Sequence, residues 1–198
     1  MTPTLPAIVA ASGLSTRMGT SKALMDAGGH SFLARIIGSL RDGGADPIIV
    51  VVRKVEGPEA EEARAHGGTP ILNPDPGPGP ISSLQAGIRA LSAEPPGTLF
   101  CPSDHPLFSP ETVQALIRAF LAGKAPLVAP SFQEKRGHPV IFGRELFPEL
   151  LQKELPEGAR TVVGRYLERR LVVPVPDPGI LVDIDTPHDY RQHFPING

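Results

Sequence analysis

Apolar residues in this chain fall into short unbroken runs, separated by longer segments in which they recur every three or four positions. Ala7 to Ala11, Pro47 to Val52, Thr98 to Cys101, Leu127 to Ala129 and Leu171 to Val175 lack polar alternation, as expected of strands buried on both faces of a sheet. Between them lie helical patterns. Ser31 can cap a helix whose Phe32, Leu33, Ile36, Ile37 and Leu40 share one face, and Gly43-Gly44 stops it. Glu56 to His66 reads as a short polar surface helix and Pro70 to Leu72 as a brief strand. Ile81, Leu84, Ile88 and Leu91 mark the next helix, and Ser109-Pro110-Glu111 opens another with Val113, Leu116, Ile117, Phe120 and Leu121 turned to the core.

The second half is less regular. A polar turn from Gln133 to Pro139 precedes a strand at Val140 to Phe142, Glu145 to Leu151 and Ala159 to Arg169 read as helices, and Thr186 with Asp189 forms a capping pair for a last short helix. Alternation of strand and helix, with right-handed crossovers, predicts an α/β fold: a three-layer Rossmann-like sandwich around a mostly parallel sheet. Ligands of such sheets collect at the carboxyl ends of the strands.

Two stretches place candidate chemistry there. The first strand runs into Ser12-Gly13-Leu14-Ser15-Thr16-Arg17-Met18-Gly19-Thr20-Ser21-Lys22, a loop of small residues carrying two cations. Small residues let backbone N–H groups approach an anion, so this is a candidate phosphate cradle, although its spacing matches neither G-x-x-x-x-G-K-[ST] nor G-x-G-x-x-G. Asp104 follows the third core strand directly, bracketed by Pro102 and Pro106. A carboxylate held on a rigid strand end near a phosphate loop suits Mg²⁺, which takes one or two protein carboxylates and fills its other positions with water and phosphate. Asp183 and Asp185, two residues apart on an extended segment, point the same way, and one of them can complete the metal site. The rigid loop from Asn73 to Pro80 delivers the amino end of a helix carrying Ser82 and Ser83 to wherever it points.

Composition narrows the partners. At 198 residues and 40% hydrophobic content, one domain has ample core. A net charge of −2 without a basic block argues against nucleic acid or an anionic membrane. With no leader-like amino terminus and no run of about 18 apolar residues, a cytoplasmic location is expected. Cys101 is the single cysteine, which excludes an internal disulfide, and its place in an apolar run makes it a structural thiol.

The segment Ala10-Ala11-Ser12-Gly13-Leu14-Ser15-Thr16-Arg17-Met18-Gly19-Thr20-Ser21-Lys22 resembles the signature loop of the MobA-like nucleotidyltransferases, L-A-[AG]-G-x-S-x-R-M-G-x-x-K. Gly79 to Leu84, Pro102 to Pro106, Gly137-His138-Pro139-Val140, Gly158-Ala159-Arg160 and Asp183 to Pro187 follow in that family's order. The last three are most similar to the molybdenum cofactor cytidylyltransferase branch. The resemblance implies Mg²⁺-dependent transfer of CMP from CTP to the phosphate of molybdopterin, with release of pyrophosphate. The alternatives are a guanylyltransferase using GTP on the same acceptor, a nucleotidylyltransferase on another small phosphate such as a sugar phosphate, and a non-catalytic nucleotide- or cofactor-binding accessory protein.

In that reading residues 1–198 form one domain, with a nucleotide-binding half of about 1–125 and an acceptor-binding half of about 126–198. Ala11, Ser12, Gly13, Ser15 and Ser83 would line the nucleotide. Arg17 would bind the β- and γ-phosphates with its planar fork and Lys22 the α-phosphate as a compact charge, and Asp104 and Asp185 would hold the metal. His138 and Arg160 are candidates for the anionic acceptor. A molybdenum hydroxylase or its chaperone is a possible protein partner. Ser12 stands where the family carries Ala or Gly, near the base, and Asp185 stands where other branches carry Asn.

Overall fold

The computed structural model describes residues 4–13, 21–92, 94–123 and 125–194. The signature-loop residues Ser15 and Arg17 lie outside them. Eight strands form one sheet: β1 (Leu5–Ala10), β2 (Ala45–Val52), β3 (Thr69–Leu72), β4 (Gly97–Pro102), β5 (Leu127–Phe132), β6 (Lys135–Arg136), β7 (Val140–Gly143) and β8 (Arg170–Pro174). Its spatial order is β3-β2-β1-β4-β7-β5, with β6 hairpinned onto the end of β5 and β8 pairing with β5 as well. β3, β2, β1 and β4 are mutually parallel, as are β5 and β8, whereas β7 runs antiparallel between β4 and β5.

Period-two alternation divides the apolar residues of the central strands between the two faces of the sheet. Leu5, Ala7 and Val9 pack with α1 (Phe32–Asp42), α2 (Pro58–Ala65) and α4 (Pro110–Ala122) on one side; Ile8 and Phe100 pack with α3 (Pro80–Arg89), α5 (Phe147–Leu150) and α6 (Ala159–Arg165) on the other. The predicted caps are present. Ser31 accepts a hydrogen bond from the Ala34 N–H at 2.9 Å, and Thr186 and Asp189 form a reciprocal capping box at the start of α7 (Pro187–His193). α7 closes a small third cluster, in which Phe32, Tyr190, Phe194 and Ile184 pin the chain after β8 to the loop before α1.

Several details differ from the pattern reading. The helix expected over 159–169 ends at Arg165 and gives way to a tight turn, Leu167–Arg169, that aims the chain into β8. Leu121 is 36% exposed, because α4 outruns the core in its last turn. The strand after Gln133 to Pro139 inserts into the sheet against the direction of its neighbours.

α3 approaches β1 so closely that a Cβ on Gly87 would lie 2.5 Å from Ile8 Cγ2, and Ile8 is fully buried. Gly87→Ala is therefore expected to destabilise the protein by about 1–2 kcal/mol: overpacking costs roughly 1–3 kcal/mol, and better helix propensity returns up to about 1 kcal/mol. Urea unfolding should show a lower midpoint at unchanged slope.

A candidate nucleotidyl-transfer site at the carboxyl edge of the sheet

Parallel strands bring their carboxyl ends to one edge, and hydrogen bonds tie those ends together. The Ala11 N–H donates to the Val51 carbonyl (2.9 Å), the Asn73 N–H to the Val52 carbonyl (2.8 Å) and the Ser103 N–H to the Ala10 carbonyl (3.1 Å). The reversed direction of β7 matters here. Because Val140 pairs with Phe100 near the end of β4, the residue two before it, His138, arrives at this same edge. Gly137 makes the arrival possible, since a Cβ there would lie 2.0 Å from the Ile180 carbonyl oxygen, which accepts from the His138 N–H at 3.0 Å. The Ile184 N–H donates to the Asp104 carbonyl (3.0 Å) and so fixes Asp183 and Asp185 beside β4.

Two groups of side chains result. In the first, Asn73 Nδ2 donates to Ser12 Oγ (3.0 Å) and Ser82 Oγ (2.9 Å), the Ser12 and Ser83 hydroxyls are 2.7 Å apart, and the Ser82 hydroxyl donates to the Gly79 carbonyl (2.8 Å). All four side chains are buried. They satisfy one another, as buried polar groups must, and lock the start of the signature loop to the first turns of α3. In the sequence Asn73 reads only as the first residue of a rigid loop.

The second group is charged. Lys22, in a single helical turn at Lys22–Leu24, donates from Nζ to Asp185 Oδ1 and lies 3.7 Å from Asp104 Oδ2. The other oxygen of Asp104, Oδ1, is buried without a hydrogen-bond partner and sits 3.8 Å from His105 Nε2. Burial raises the Asp104 carboxyl above its ordinary value; Lys22 draws it back and Asp185 adds to the rise. Asp183 is pushed up to about 6, by burial first and then by Asp104 and Asp185.

The His105 and His138 rings stand 4.6 Å apart, and burial lowers both to about 4, so both are neutral near pH 7. Arg160 is exposed on the first turn of α6, and its charge further disfavours protonation of His138.

Ser12, Lys22, Ser83, Asp104, His138 and Asp185 thus gather at one edge, with Arg160 at its margin. The donor set suits a hard divalent cation: carboxylates outnumber the nearby cation, and the buried, unpartnered Oδ1 of Asp104 is the kind of atom a cation would satisfy. Asp104, His105 and Asp183 each offer a donor atom within 4.8 Å of the others, while Asp185 is held by Lys22.

The sequence matches the MobA-like NTP transferase domain over residues 7–170, which spans the signature loop, Asp104, His138 and Arg160. The chain belongs to this family. This MobA-like protein is accordingly an enzyme, a nucleotidyltransferase. A molybdenum cofactor guanylyltransferase from Rhodopseudomonas palustris (strain BisB5) is 34% identical over 159 residues, 77% of this chain and 71% of the relative. Another from Rhizobium meliloti (strain 1021) is 28% identical over 204 aligned positions, covering 94% and 89%. Among solved structures, Rv0371c of Mycobacterium tuberculosis H37Rv superposes with a TM-score of 0.77 at 26% identity over 96% of this chain and 97% of its own. Among the described residues no helix is long and apolar enough to cross a membrane.

Proposed function

We propose that this enzyme transfers the nucleoside monophosphate of a nucleoside triphosphate to the phosphate of molybdopterin, in a reaction dependent on a divalent cation such as Mg²⁺. The observation that carries the reading is the charged group at the strand ends, where Lys22 stands between Asp104 and Asp185 beside the start of the signature loop. The names of the curated relatives supply the acceptor. A molybdenum hydroxylase or its chaperone is then the consumer of the product.

In the reaction an oxygen of the acceptor phosphate attacks the α-phosphorus, the bond from that phosphorus to the bridging oxygen breaks, and pyrophosphate leaves with the bonding electrons. No side-chain nucleophile is required, because the attacking phosphate is already ionised. Catalysis is alignment plus neutralisation of charge on the phosphoryl oxygens. The backbone of Ala11 to Gly13 and the first turns of α3, held together through Ser12, Asn73 and Ser83, form the rigid floor on which the nucleotide is aligned. Lys22 exchanges a carboxylate partner for a phosphoryl oxygen, while Asp104 and a second aspartate hold the ion. When bound, that ion polarises the phosphoryl oxygens. Arg17 binds the outer phosphates, and His138 with Arg160 receives the anionic acceptor.

Two donors are each supported by an observation. GTP is favoured by the curated relatives, all three of which are named guanylyltransferases. CTP is favoured by Gly137-His138-Pro139, Gly158-Ala159-Arg160 and Asp183 to Pro187, which are most similar to the cytidylyl branch. Each of the four nucleoside triphosphates supplied with Mg²⁺ and molybdopterin should release pyrophosphate only with GTP or CTP, and only when the acceptor is present. Equal release with a sugar phosphate in place of molybdopterin would overturn the acceptor assignment.

A further inference from the structure

We propose that His105 is itself a metal ligand: Asp104, Asp183 and His105 form a mixed oxygen–nitrogen site that takes a first-row transition-metal ion such as Mn²⁺ in preference to Mg²⁺. The inference deepens the nucleotidyl-transfer reading by naming the cation and its ligands, and it is tested by binding alone, so the two can fail separately.

The geometry begins with the two oxygens of Asp104, which face different partners. Oδ2 is turned to Lys22, and Oδ1 is turned to His105. At 3.8 Å the separation between Oδ1 and His105 Nε2 is too long for a hydrogen bond. It is, however, a separation that two ligands of one ion adopt, because bonds of about 2.1 Å place ligand atoms roughly 3 to 4.2 Å apart. One carboxylate oxygen of Asp183 joins them, so that the three donor atoms all lie within 4.8 Å of one another.

A second observation is independent of that spacing. Asp104 Oδ1 is buried and has no hydrogen-bond partner. An orphaned buried carboxylate oxygen is costly, and Asp104 Oδ1, on the side that faces His105 Nε2, points to a partner that the polypeptide does not supply. A cation bound at Oδ1 satisfies it outright. Packing against His138 holds the imidazole in place, with ring centroids 4.6 Å apart. Asp185, whose Oδ1 is paired with Lys22, is not among the three donors that lie within 4.8 Å of one another.

The choice of metal follows from the nitrogen. Mg²⁺ is a hard ion that takes oxygen ligands and keeps its waters, so an imidazole gives it little. Mn²⁺ accepts carboxylates equally well, and affinity for nitrogen rises from it along the first-row series. A residue such as His105 therefore separates the two ions while Asp104 and Asp183 serve both.

The full chain, without nucleotide, is titrated with Mn²⁺ and followed by electron paramagnetic resonance, with Mg²⁺ as competitor. The expected result is one Mn²⁺ per chain, weak competition by Mg²⁺, and a nitrogen hyperfine coupling on the bound ion. His105→Phe, which keeps a ring against His138, should weaken Mn²⁺ by about tenfold or more, abolish the nitrogen coupling and leave Mg²⁺ binding unchanged; Asp183→Asn should weaken both ions. Absence of Mn²⁺ binding, a wild-type spectrum without nitrogen coupling, or wild-type Mn²⁺ affinity in His105→Phe would each overturn the proposal. The wild-type spectrum decides the matter even if the variant fails to fold.

Discussion

Asp104→Asn is expected to lower kcat for pyrophosphate release by about 10²- to 10³-fold, the usual loss when one preorganised electrostatic contact to a reacting group is removed. Asn keeps the size of the side chain and the backbone carbonyl that accepts from Ile184, so the end of β4 and the Asp183 to Pro187 segment should stay in place. What disappears is the charge. The stability of the ligand-free enzyme should be unchanged or slightly higher, because burial already disfavours the ionised carboxyl and Asp183 and Asp185 stand beside it. Steady-state rates and an unfolding midpoint, measured on one preparation, check both halves. Activity within threefold of wild type would remove Asp104 from the reaction.

The two kinds of structural information in this chain were unequally visible in its sequence. β1, β2, β4 and β5 announce themselves because strands buried on both faces must be continuously apolar, and the caps Ser31 and Thr186 are local chemistry between residues three apart. The direction of β7 is different, since it depends on Val140 to Gly143 finding β4 some 40 residues earlier, and no local pattern encodes that pairing. Yet this reversal carries His138 to the edge where Asp104 lies.

The site shows the same division. Asp104 could be singled out because an acidic residue directly after a buried strand has few structural reasons to be there. Asn73 also follows a strand, but β3 is short and has no fully buried residue, and the prolines after Asn73 mark it only as the start of a rigid loop. That Lys22 would meet Asp185, 163 residues away, is a product of the whole topology. The loop residues Ser15 and Arg17 fall outside the described part of the chain.

Lys22→Met is expected to be the more damaging of the two site substitutions, because it acts on the resting enzyme as well as on the reaction. Methionine retains much of the stem and removes the ammonium, which leaves the carboxylates of Asp104, Asp183 and Asp185 close together without it. Lys22 is 14% exposed while Asp185 is 48% exposed, so the pair lies between the surface and buried regimes and its loss should cost about 1–3 kcal/mol. The catalytic loss should again reach about 10²- to 10³-fold, now with a raised KM for the triphosphate, because the same charge both binds and aligns it. The decisive comparison is the double variant Lys22→Met/Asp104→Asn. If Lys22 offsets the crowded carboxylates, removing one of them must recover part of the lost stability, so the two effects on unfolding will be non-additive while activity stays at the level of the worse single variant. Additive stability effects would mean that Lys22 contributes to the resting fold independently of Asp104.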